Sequence, residues 1–263
     1  MRLAASFADP ASANDRSRPE QASEAPRKTE QMSKLIFPPL QVPTLEIVGS
    51  SDRIPVQRVF CVGRNYEDHA KEMGQVVDRE EPFYFTKSPD AVVPTGSTIP
   101  YAPGTTNYHY EFELVIVIGA DAFRCPKEEA LSKIFGYACG LDMTRRDLQL
   151  SRRAKQLPWD LGKDVEQSAP ISPVVPAAQF KDPSKGRIEM RQNGVQKQNA
   201  DLSLLIWSVP EIINHLSGFY HLRPGDVIFT GTPAGVGAVQ PGDVLEGSIE
   251  GIGELKITIG KAE

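Results

Sequence analysis

The stretch EFELVIVIG at residues 111–119 gives the strongest indication of the fold in this sequence. Its five consecutive apolar residues, Leu114–Ile118, end at Gly119. A short apolar run bounded by a turn residue is typical of a strand that is buried on both faces. A second run of this kind, Ile134–Leu141, ends at Asp142. The sequence therefore predicts two buried strands, each with acidic residues at one end.

Outward from this stretch, short β-rich runs alternate with Gly, Pro, Asn and Asp from about Ile36 onward. Two copies of Pro-Gly-Asp-Val, at residues 224–227 and 241–244, each predict a turn that starts a strand. The further predicted strands are Arg58–Val62, Phe83–Thr86, Val227–Thr230, Val244–Glu246 and Glu254–Ile259. This spacing favours a fold dominated by β-structure.

Three short helices are expected between the strands. Each has a capping residue at its predicted start: Asn65 for a helix to Met73, Thr144 with Asp147 for a helix to about Gln156, and Ser208 with Glu211 for Pro210–Ser217. Together with the strands, these helices predict a β-dominated α+β fold, with one core from about residue 57 to residue 260.

Composition excludes several classes of protein. The chain has 263 residues, with 29 Lys and Arg against 34 Asp and Glu, and a formal charge of −5. A nucleic-acid-binding protein would normally show a basic surface, so no nucleic-acid partner is expected. No run approaches the length of a transmembrane helix, so no membrane partner is expected. Three widely spaced cysteines predict neither a disulfide framework nor a zinc site, which favours a cytoplasmic location.

The N-terminal segment differs in composition from the rest of the chain. Residues 1–31 are rich in Ala, Ser and Pro and carry few large apolar side chains, so we expect a disordered extension. Residues 32–56 are interpreted as a lead-in segment, and residues 57–260 as a single catalytic domain.

Glu111 and Glu113 are candidates for a metal site. Residues two apart in a strand point to the same face, so their carboxylates would converge beside the apolar run. Like charges in such a place repel, and a hard divalent cation with oxygen ligands removes the repulsion. Asp142 could supply a third carboxylate. The alternative is that the two glutamates face solvent and Asp142 caps a turn.

His69 and Glu72 lie three residues apart on the first predicted helix and share a face. A carboxylate that orients an imidazole is an arrangement typical of a general base. The alternative is a solvated helix face, because neighbouring residues are also polar.

Other polar residues are ambiguous when taken singly. Lys163 either presents an ammonium group to an anionic substrate or is merely exposed, and Arg64, Lys87, Arg146 and Gln149 allow the same two interpretations. The Gly-rich stretch at residues 229–237 matches no nucleotide-binding motif and is either a tight turn, an approach to a ligand, or both. Trp159 is expected to pack, with a place at a pocket wall as the alternative.

Five motifs, in order along residues 57–259, resemble the fumarylacetoacetate hydrolase family. They are Val62-Gly-Arg-Asn-Tyr-Glu-Asp-His69, Phe85-Thr-Lys-Ser88, Asn107-Tyr-His-Tyr-Glu-Phe-Glu-Leu114, Gly140-Leu-Asp-Met-Thr-Arg-Arg-Asp147 and Ile228-Phe-Thr-Gly-Thr-Pro-Ala-Gly-Val-Gly237. Within the family, the chain is most similar to enzymes that act on fumarylpyruvate and other acylpyruvates.

The resemblance implies a mixed β-sandwich or roll like the C-terminal domain of the family, a few short helices, and a homodimer. It also implies Mg²⁺ or Mn²⁺ held by Glu111, Glu113 and Asp142. The roles that it implies for other residues are catalysis by His69, Glu72 and Lys163, and substrate binding by Arg64, Lys87, Arg146, Gln149 and Thr232.

Two departures from the family pattern are visible. This chain has His109-Tyr110-Glu111 where many relatives have two histidines before the glutamate. The alternation of side chains should point Tyr110 away from Glu111, so the metal site is expected to survive. Asp164 follows Lys163 at a place where relatives often carry apolar residues, which could alter substrate preference.

The activity implied by the resemblance is hydrolysis of a carbon–carbon bond in a β-diketo acid. The expected substrate is fumarylpyruvate, which would give fumarate and pyruvate in the catabolism of aromatic compounds. Alternatives on the same metal site are decarboxylation of oxaloacetate and isomerisation or decarboxylation of a diene-dioate. A non-catalytic keto-acid-binding protein is the remaining alternative.

Overall fold

The computed structural model describes residues 35–74, 79–180 and 182–262. The expected disordered extension at residues 1–31 lies outside these ranges. The chain divides into two units, Met1–Leu40 and Gln41–Glu263. In the first unit, the described residues 35–40 are exposed and form no helix or strand. The architecture below belongs to the second unit.

Strands dominate the second unit, and its helices are short. The strands are β1 Thr44–Glu46, β2 Arg53–Pro55, β3 Val59–Gly63, β4 Phe83–Lys87, β5 Val92–Pro94, β6 Thr98–Tyr101, β7 Tyr108–Tyr110, β8 Phe112–Ile118, β9 Ile134–Leu141, β10 Thr144–Arg145, β11 Ala169–Ile171, β12 Val175–Pro176, β13 Arg187–Gln192, β14 Val195–Asp201, β15 Val227–Phe229, β16 Gly237–Ala238, β17 Val244–Ile249 and β18 Gly253–Ala262. The α-helices are α1 Glu67–Glu72, α2 Arg146–Ala154, α3 Asp160–Lys163 and α4 Val209–Leu216. Single 3₁₀ segments lie at Pro89–Ala91, Lys127–Lys133 and Leu202–Leu204. The predicted β-dominated fold with few short helices is confirmed.

The largest sheet has eight strands, with the path β4-β3-β15-β8-β9-β11-β5 and with β12 also paired to β9. The strand predicted from the opening stretch, β8, lies inside it between β15 and β9, and all seven of its residues are buried. The antiparallel register of β8 and β9 sets Glu113 opposite Gly140 and Phe112 opposite Leu141. Asp142, just past the end of β9, consequently donates its backbone N–H to the Glu111 carbonyl at 2.8 Å.

The core consists of two clusters, one on each face of this sheet. Side chains of β8 alternate between them: Leu114 and Ile116 belong to the larger cluster, and Val115 and Val117 to the smaller one. The larger cluster also contains apolar residues of β13, β17, β18 and β6, which belong to a five-stranded sheet in the order β14-β13-β17-β18-β6. The two sheets therefore pack face to face as a sandwich.

A three-stranded sheet, β10-β7-β16, lies beside the carboxylate residues. Its register pairs Thr144 with His109 and Gly237 with Tyr110. Glu111 follows β7 directly, and β10 begins shortly after Asp142. The small sheet therefore fixes the chain on one side of each residue, and the large sheet fixes it on the other.

The smaller core cluster reaches into the segment interpreted as a lead-in. Strands β1 and β2 form an antiparallel pair, and Leu45 and Val56 are buried within the cluster. The packed core therefore begins before residue 57. Among the described residues, no helix is long and apolar enough to cross a membrane.

Two of the three predicted helix starts are wrong. Tyr66, not Asn65, is the N-cap of α1. Asn65 instead donates to the carbonyls of Trp207 and Thr230, at 3.0 and 2.8 Å, and accepts from the Trp207 N–H. These buried bonds tie two loops together and leave the side chain unable to cap.

Thr144 likewise does not cap α2, because it lies in β10 and Arg145 is the N-cap. Its hydroxyl donates to the Asp142 carbonyl and accepts from Lys163. The third prediction is confirmed: Glu211 accepts from the backbone N–H and the hydroxyl of Ser208, which completes the capping box of α4.

Candidate metal centre and active site

Three buried carboxylates converge at the edge of the large sheet. Oxygen atoms of Glu111, Glu113 and Asp142 lie within 4.8 Å of one another. Glu113 enters from β8, Glu111 from the junction of β7 and β8, and Asp142 from the end of β9. The alternative of a solvent-facing pair is excluded, because all three residues are buried.

The donor set fits a hard divalent cation. Burial raises the pKa of Glu113 well above its usual value, and the charges of Asp142 and Glu111 raise it further. Glu113 accepts a hydrogen bond from the Gly231 N–H at 2.7 Å and makes no ion pair with any described residue. Removing such like-charge repulsion is what a divalent cation with carboxylate ligands does.

Lys163 links two of the carboxylates. Its ammonium group donates to Glu111 at 2.8 Å, to Asp142 at 2.6 Å and to the Thr144 hydroxyl at 2.8 Å. Burial by itself would lower the pKa of Lys163, but Asp142 and Glu111 outweigh it and raise the pKa. All three protons of the ammonium group are engaged, so Lys163 serves first as a charge partner of the cluster.

Lys87 lies behind Asp142. It donates to the carbonyls of Met143 and Lys163 and to the Ser168 hydroxyl, which uses its three protons. Its ammonium nitrogen lies 2.9 Å from Asp142 Oδ1, yet that oxygen is buried and receives no hydrogen bond. This oxygen of the cluster is therefore in an ion pair but accepts no hydrogen bond, which leaves it able to accept a further ligand.

Arg146 and Gln149 project from α2 towards the cluster. Arg146 donates to Glu111 and to the Gln149 side-chain oxygen. Burial alone would raise the pKa of Glu111, but Lys163 and Arg146 together hold it well below its usual value. Because its oxygen accepts from Arg146, Gln149 keeps its amide N–H groups available.

His69 and Glu72 form the expected pair on α1. His69 is buried, and its Nδ1 lies 3.2 Å from Glu72 Oε2. The carboxylate of Glu72 also accepts from the Gly235 N–H at 3.2 Å. The Gly-rich loop thus fixes the carboxylate that contacts the imidazole.

This loop contacts the site at two more places. Gly231 has φ of 99°, and a Cβ there would lie 2.6 Å from the Asn65 Cβ, so the loop requires glycine where its N–H reaches Glu113. Thr232 donates to the Phe112 carbonyl and accepts from Gln198. Both interpretations of the Gly-rich stretch therefore apply, because it is a turn that also builds the site.

One cavity joins these groups. Of the sequence-predicted site residues, it is lined by Arg64, His69, Glu111, Glu113, Arg146, Gln149, Lys163 and Thr232. Three further predicted residues do not line the cavity: Lys87, Asp142 and Glu72. Lys87 and Asp142 contact the lining residue Lys163, and Glu72 contacts the lining residue His69. Trp159 lies at the wall, as its alternative interpretation stated.

Sequence reasoning missed Arg153 and Phe85 as lining residues. Arg153 follows Arg146 by seven residues on α2, and this spacing was a usable signal because positions i, i+3 and i+7 share a helix face. Phe85 gave no such signal, since an aromatic residue in a β-rich run is ordinary packing.

His109 precedes Tyr110, the residue at which this chain departs from the family pattern. Burial and the nearby Arg146 lower its pKa to about 4. Its Nε2 contacts the Asn107 side-chain oxygen at 2.8 Å. Tyr110 is buried and packs against Gly237.

Comparison with known proteins agrees with this geometry. Residues 58–260 match the family model described as fumarylacetoacetate (FAA) hydrolase C-terminal. A fumarylpyruvate hydrolase of Ralstonia sp is 52% identical over 193 residues, which are 73% of this chain and 100% of that protein. The mitochondrial oxaloacetate tautomerase of Homo sapiens is 40% identical over 207 residues, 79% of this chain and 93% of that protein.

Among solved structures, the fumarylpyruvate hydrolase of Pseudomonas aeruginosa in complex with Mn²⁺ and pyruvate superposes with a TM-score of 0.84. The two sequences are 48% identical, and the match covers 88% of this chain and 100% of that one. With a family model matched over most of its length and a carboxylate cluster in a β-sandwich, this chain belongs to the fumarylacetoacetate hydrolase family.

Proposed function

We propose that this protein is a divalent-cation-dependent hydrolase that cleaves fumarylpyruvate to fumarate and pyruvate. The observation that carries the proposal is a cavity lined by two carboxylates of the buried cluster and by His69, which has its own carboxylate partner in Glu72. Relatives of high identity that are named fumarylpyruvate hydrolases supply the choice of substrate.

Glu111, Glu113 and Asp142 would hold Mg²⁺ or Mn²⁺. When bound, the cation would supply Lewis-acid stabilisation of negative charge on the keto-acid end of the substrate. Lys163 and Lys87 hold the carboxylates in place: the first bridges Glu111 and Asp142, and the second pairs with Asp142 from behind. We therefore assign Lys87 a positioning role rather than direct contact with substrate.

His69 is the proposed general base. Glu72 fixes the imidazole, and His69 takes one proton from a water molecule. The resulting hydroxide attacks the carbonyl carbon of the fumaryl group and forms a tetrahedral oxyanion. When this oxyanion collapses, the carbon–carbon bond breaks, fumaric acid forms, and the pyruvate enolate leaves and recovers a proton from His69.

Gln149 and Thr232 are proposed to bind the substrate. Gln149 has amide N–H groups available, and both side chains line the cavity. The amide donors of Gln149 can stabilise charge that develops on a carbonyl oxygen during attack. The Thr232 hydroxyl already donates its proton to the Phe112 carbonyl, so Thr232 forms part of the cavity wall. Arg146 keeps Gln149 in this orientation and also contacts Glu111.

The direct test is the loss of fumarylpyruvate absorbance in EDTA and after addition of Mg²⁺ or Mn²⁺, with fumarate and pyruvate measured as products. Cation-dependent formation of both products is the expected result. Turnover that persists in EDTA would contradict the role of the carboxylate cluster. Absence of turnover under all conditions would contradict the proposed substrate.

A second candidate is keto–enol tautomerisation of oxaloacetate, favoured by the 40% identical relative of that name. This reaction needs a proton moved at carbon but no activated water. Oxaloacetate assayed in parallel separates the two functions, and release of CO₂ would identify a decarboxylase instead. A protein that binds oxalate and Mn²⁺ but turns over none of these substrates would be a keto-acid-binding protein.

From the resemblance we also propose a cytoplasmic homodimer that acts in the catabolism of aromatic compounds. We further propose residues 57–260 as the catalytic domain, preceded by a lead-in segment and an N-terminal extension. Light scattering coupled to gel filtration tests the dimer, and limited proteolysis with mass spectrometry tests the domain limits.

A further inference from the structure

Two arginines of the cavity lack an acidic partner. Arg64 and Arg153 both line the cavity. Among the described residues, neither guanidinium group forms an ion pair with a carboxylate, whereas Arg146 in the same cavity contacts Glu111. Burial lowers the pKa of Arg64, and the charge of Arg153 lowers it further. Two cations that repel each other in one cavity favour the binding of an anion.

Arg153 lies away from the carboxylate cluster, and its charge acts on Arg64. Arg146, Gln149 and Arg153 lie on one face of α2, at spacings of three and seven residues. A helix rises 1.5 Å per residue, so Arg153 lies roughly 10 Å along the axis from Arg146, which contacts Glu111. The face of α2 therefore runs from the carboxylate cluster to a second, cationic end of the cavity.

Arg64 is held at this end by its backbone and by aromatic rings. Its φ is 62°, a left-handed conformation that is uncommon for a residue with a side chain. Its guanidinium carbon lies 5.3 Å from the Phe83 ring centre and 5.6 Å from the Trp159 ring centre. Strained conformations persist where the surrounding structure requires them, and they often mark ligand sites.

We propose that Arg64 and Arg153 form a carboxylate-binding subsite for the end of the substrate that lies farthest from the carboxylate cluster. The proposal rests on the proposed function, because fumarylpyruvate carries a second carboxylate on its fumaryl end. Six carbon–carbon bonds of about 1.5 Å separate its two carboxyl carbons, so the extended molecule spans roughly 7 to 8 Å between them. This length suits the distance along α2, and guanidinium groups bind carboxylates through paired, charge-assisted hydrogen bonds.

The subsite would select acylpyruvates by their acyl group. A substrate with an acidic acyl end neutralises the two arginines, whereas acetylpyruvate leaves them unpaired. Selection therefore depends on residues that are separate from those that hold the keto acid.

Arg153→Met tests the subsite, with kcat/KM measured on fumarylpyruvate and on acetylpyruvate. We expect the ratio of the two kcat/KM values to fall roughly 10- to 100-fold in the variant. Lys155→Met removes the same charge from an exposed position that does not line the cavity, and it should leave the ratio unchanged. Arg153→Lys should recover part of the ratio. An equal loss on both substrates, or no loss, would overturn the proposal.

Binding of fumarate and crotonate by calorimetry gives a readout that does not need turnover. Crotonate has the same carbon skeleton with one carboxylate fewer. The wild-type protein should prefer fumarate, and Arg153→Met should lose that preference. If the wild-type protein turns over neither acylpyruvate but shows this pattern, the proposed function fails and the subsite stands. If it cleaves fumarylpyruvate with no preference for fumarate in either protein, the subsite fails and the proposed function stands.

Discussion

His69 depends on groups from two parts of the chain. Glu72, on the same helix, contacts its Nδ1, and the Gly235 N–H from the Gly-rich loop holds Glu72. The spacing of His69 and Glu72 was enough to predict the pair. It gave no information on Gly235, which is 163 residues away from Glu72 and meets it only in the folded chain.

Replacing His69 tests its role as general base. His69→Ala should lower kcat for fumarylpyruvate by a factor of roughly 10² to 10⁴, the usual contribution of proton transfer by a positioned side chain. Affinity for Mn²⁺, measured by calorimetry, should change little because His69 is not among the clustered carboxylates. A variant with wild-type kcat would refute the assignment, and retention of oxaloacetate tautomerisation alone would support the second candidate function.

Lys87 is a residue whose position the sequence could not reveal. Its motif suggested contact with substrate, but its side chain is fully buried and paired with Asp142. A lysine between a strand and a proline-rich turn has no periodic signal that distinguishes a buried from an exposed ammonium group. Only the contacts that Lys87 makes in the folded chain, with Lys163, Ser168 and Asp142, decide it.

Lys87→Met should destabilise the protein by about 3 to 5 kcal/mol, because it leaves a buried carboxylate with less charge compensation. Urea unfolding in EDTA measures this change. Lys71→Met is the matched control, since Lys71 is exposed and pairs with Glu67 on the surface of α1, where such pairs contribute less than about 1 kcal/mol. Equal stability of the two variants would show that the Lys87–Asp142 pair contributes little.

At the level of elements, strands were easier to predict than helix starts. Runs such as Leu114–Ile118 reveal buried strands because both faces must be apolar. Thr144 and Asp147 have the spacing of a capping box, yet Asp147 accepts from Thr105 and Thr106 instead. A capping pattern shows that two side chains could form capping hydrogen bonds. The same side chains can instead form hydrogen bonds with residues far away in the sequence.

The contribution of the α4 capping box to the free energy of unfolding depends on pH. Burial opposes ionisation of Glu211, but hydrogen bonds from Ser208 and Lys127 outweigh it and lower the pKa to about 2. Since this value lies below the ordinary 4.5, the stabilisation is fully present above pH 4.5 and is lost as the pH falls towards 2. Glu211→Gln should lower the free energy of unfolding by up to about 1 kcal/mol at pH 7.

Thermal unfolding of the wild type and of Glu211→Gln from pH 7 to pH 2 measures this pH-dependent contribution. The difference between wild type and Glu211→Gln should shrink as the pH falls through 4.5 and disappear near 2. A difference that stays constant over the whole range would show that ionisation of Glu211 does not contribute.

At the level of the whole molecule, the sandwich places charge at the edge of an apolar interior. The sequence predicted one core, and the structure has two, because the eight-stranded sheet is apolar on both faces. Single-sequence patterns show that a strand is buried, but not what lies on each side of it. The acidic residues and their spacing were visible in the sequence. The spacing of Arg153 from Arg146 was visible too, but not that the face of α2 which carries both lines a cavity.

Loading of the carboxylate cluster should therefore be coupled to global stability. In the folded protein the pKa of Glu113 is raised, so ionised Glu113 costs stability as the pH rises above its ordinary value of 4.5. Glu113→Gln removes this cost while the Gly231 N–H keeps an acceptor, and the variant should be more stable than wild type in EDTA at pH 7.

Because a ligand that binds only the folded state stabilises it by about 2.7 kcal/mol at a hundredfold excess over Kd, Mn²⁺ should raise the Tm of the wild type and not that of the variant. Glu254→Gln, an exposed change outside the cluster, should keep the full shift. An equal Tm shift in wild type and Glu113→Gln would place the cation somewhere other than this cluster.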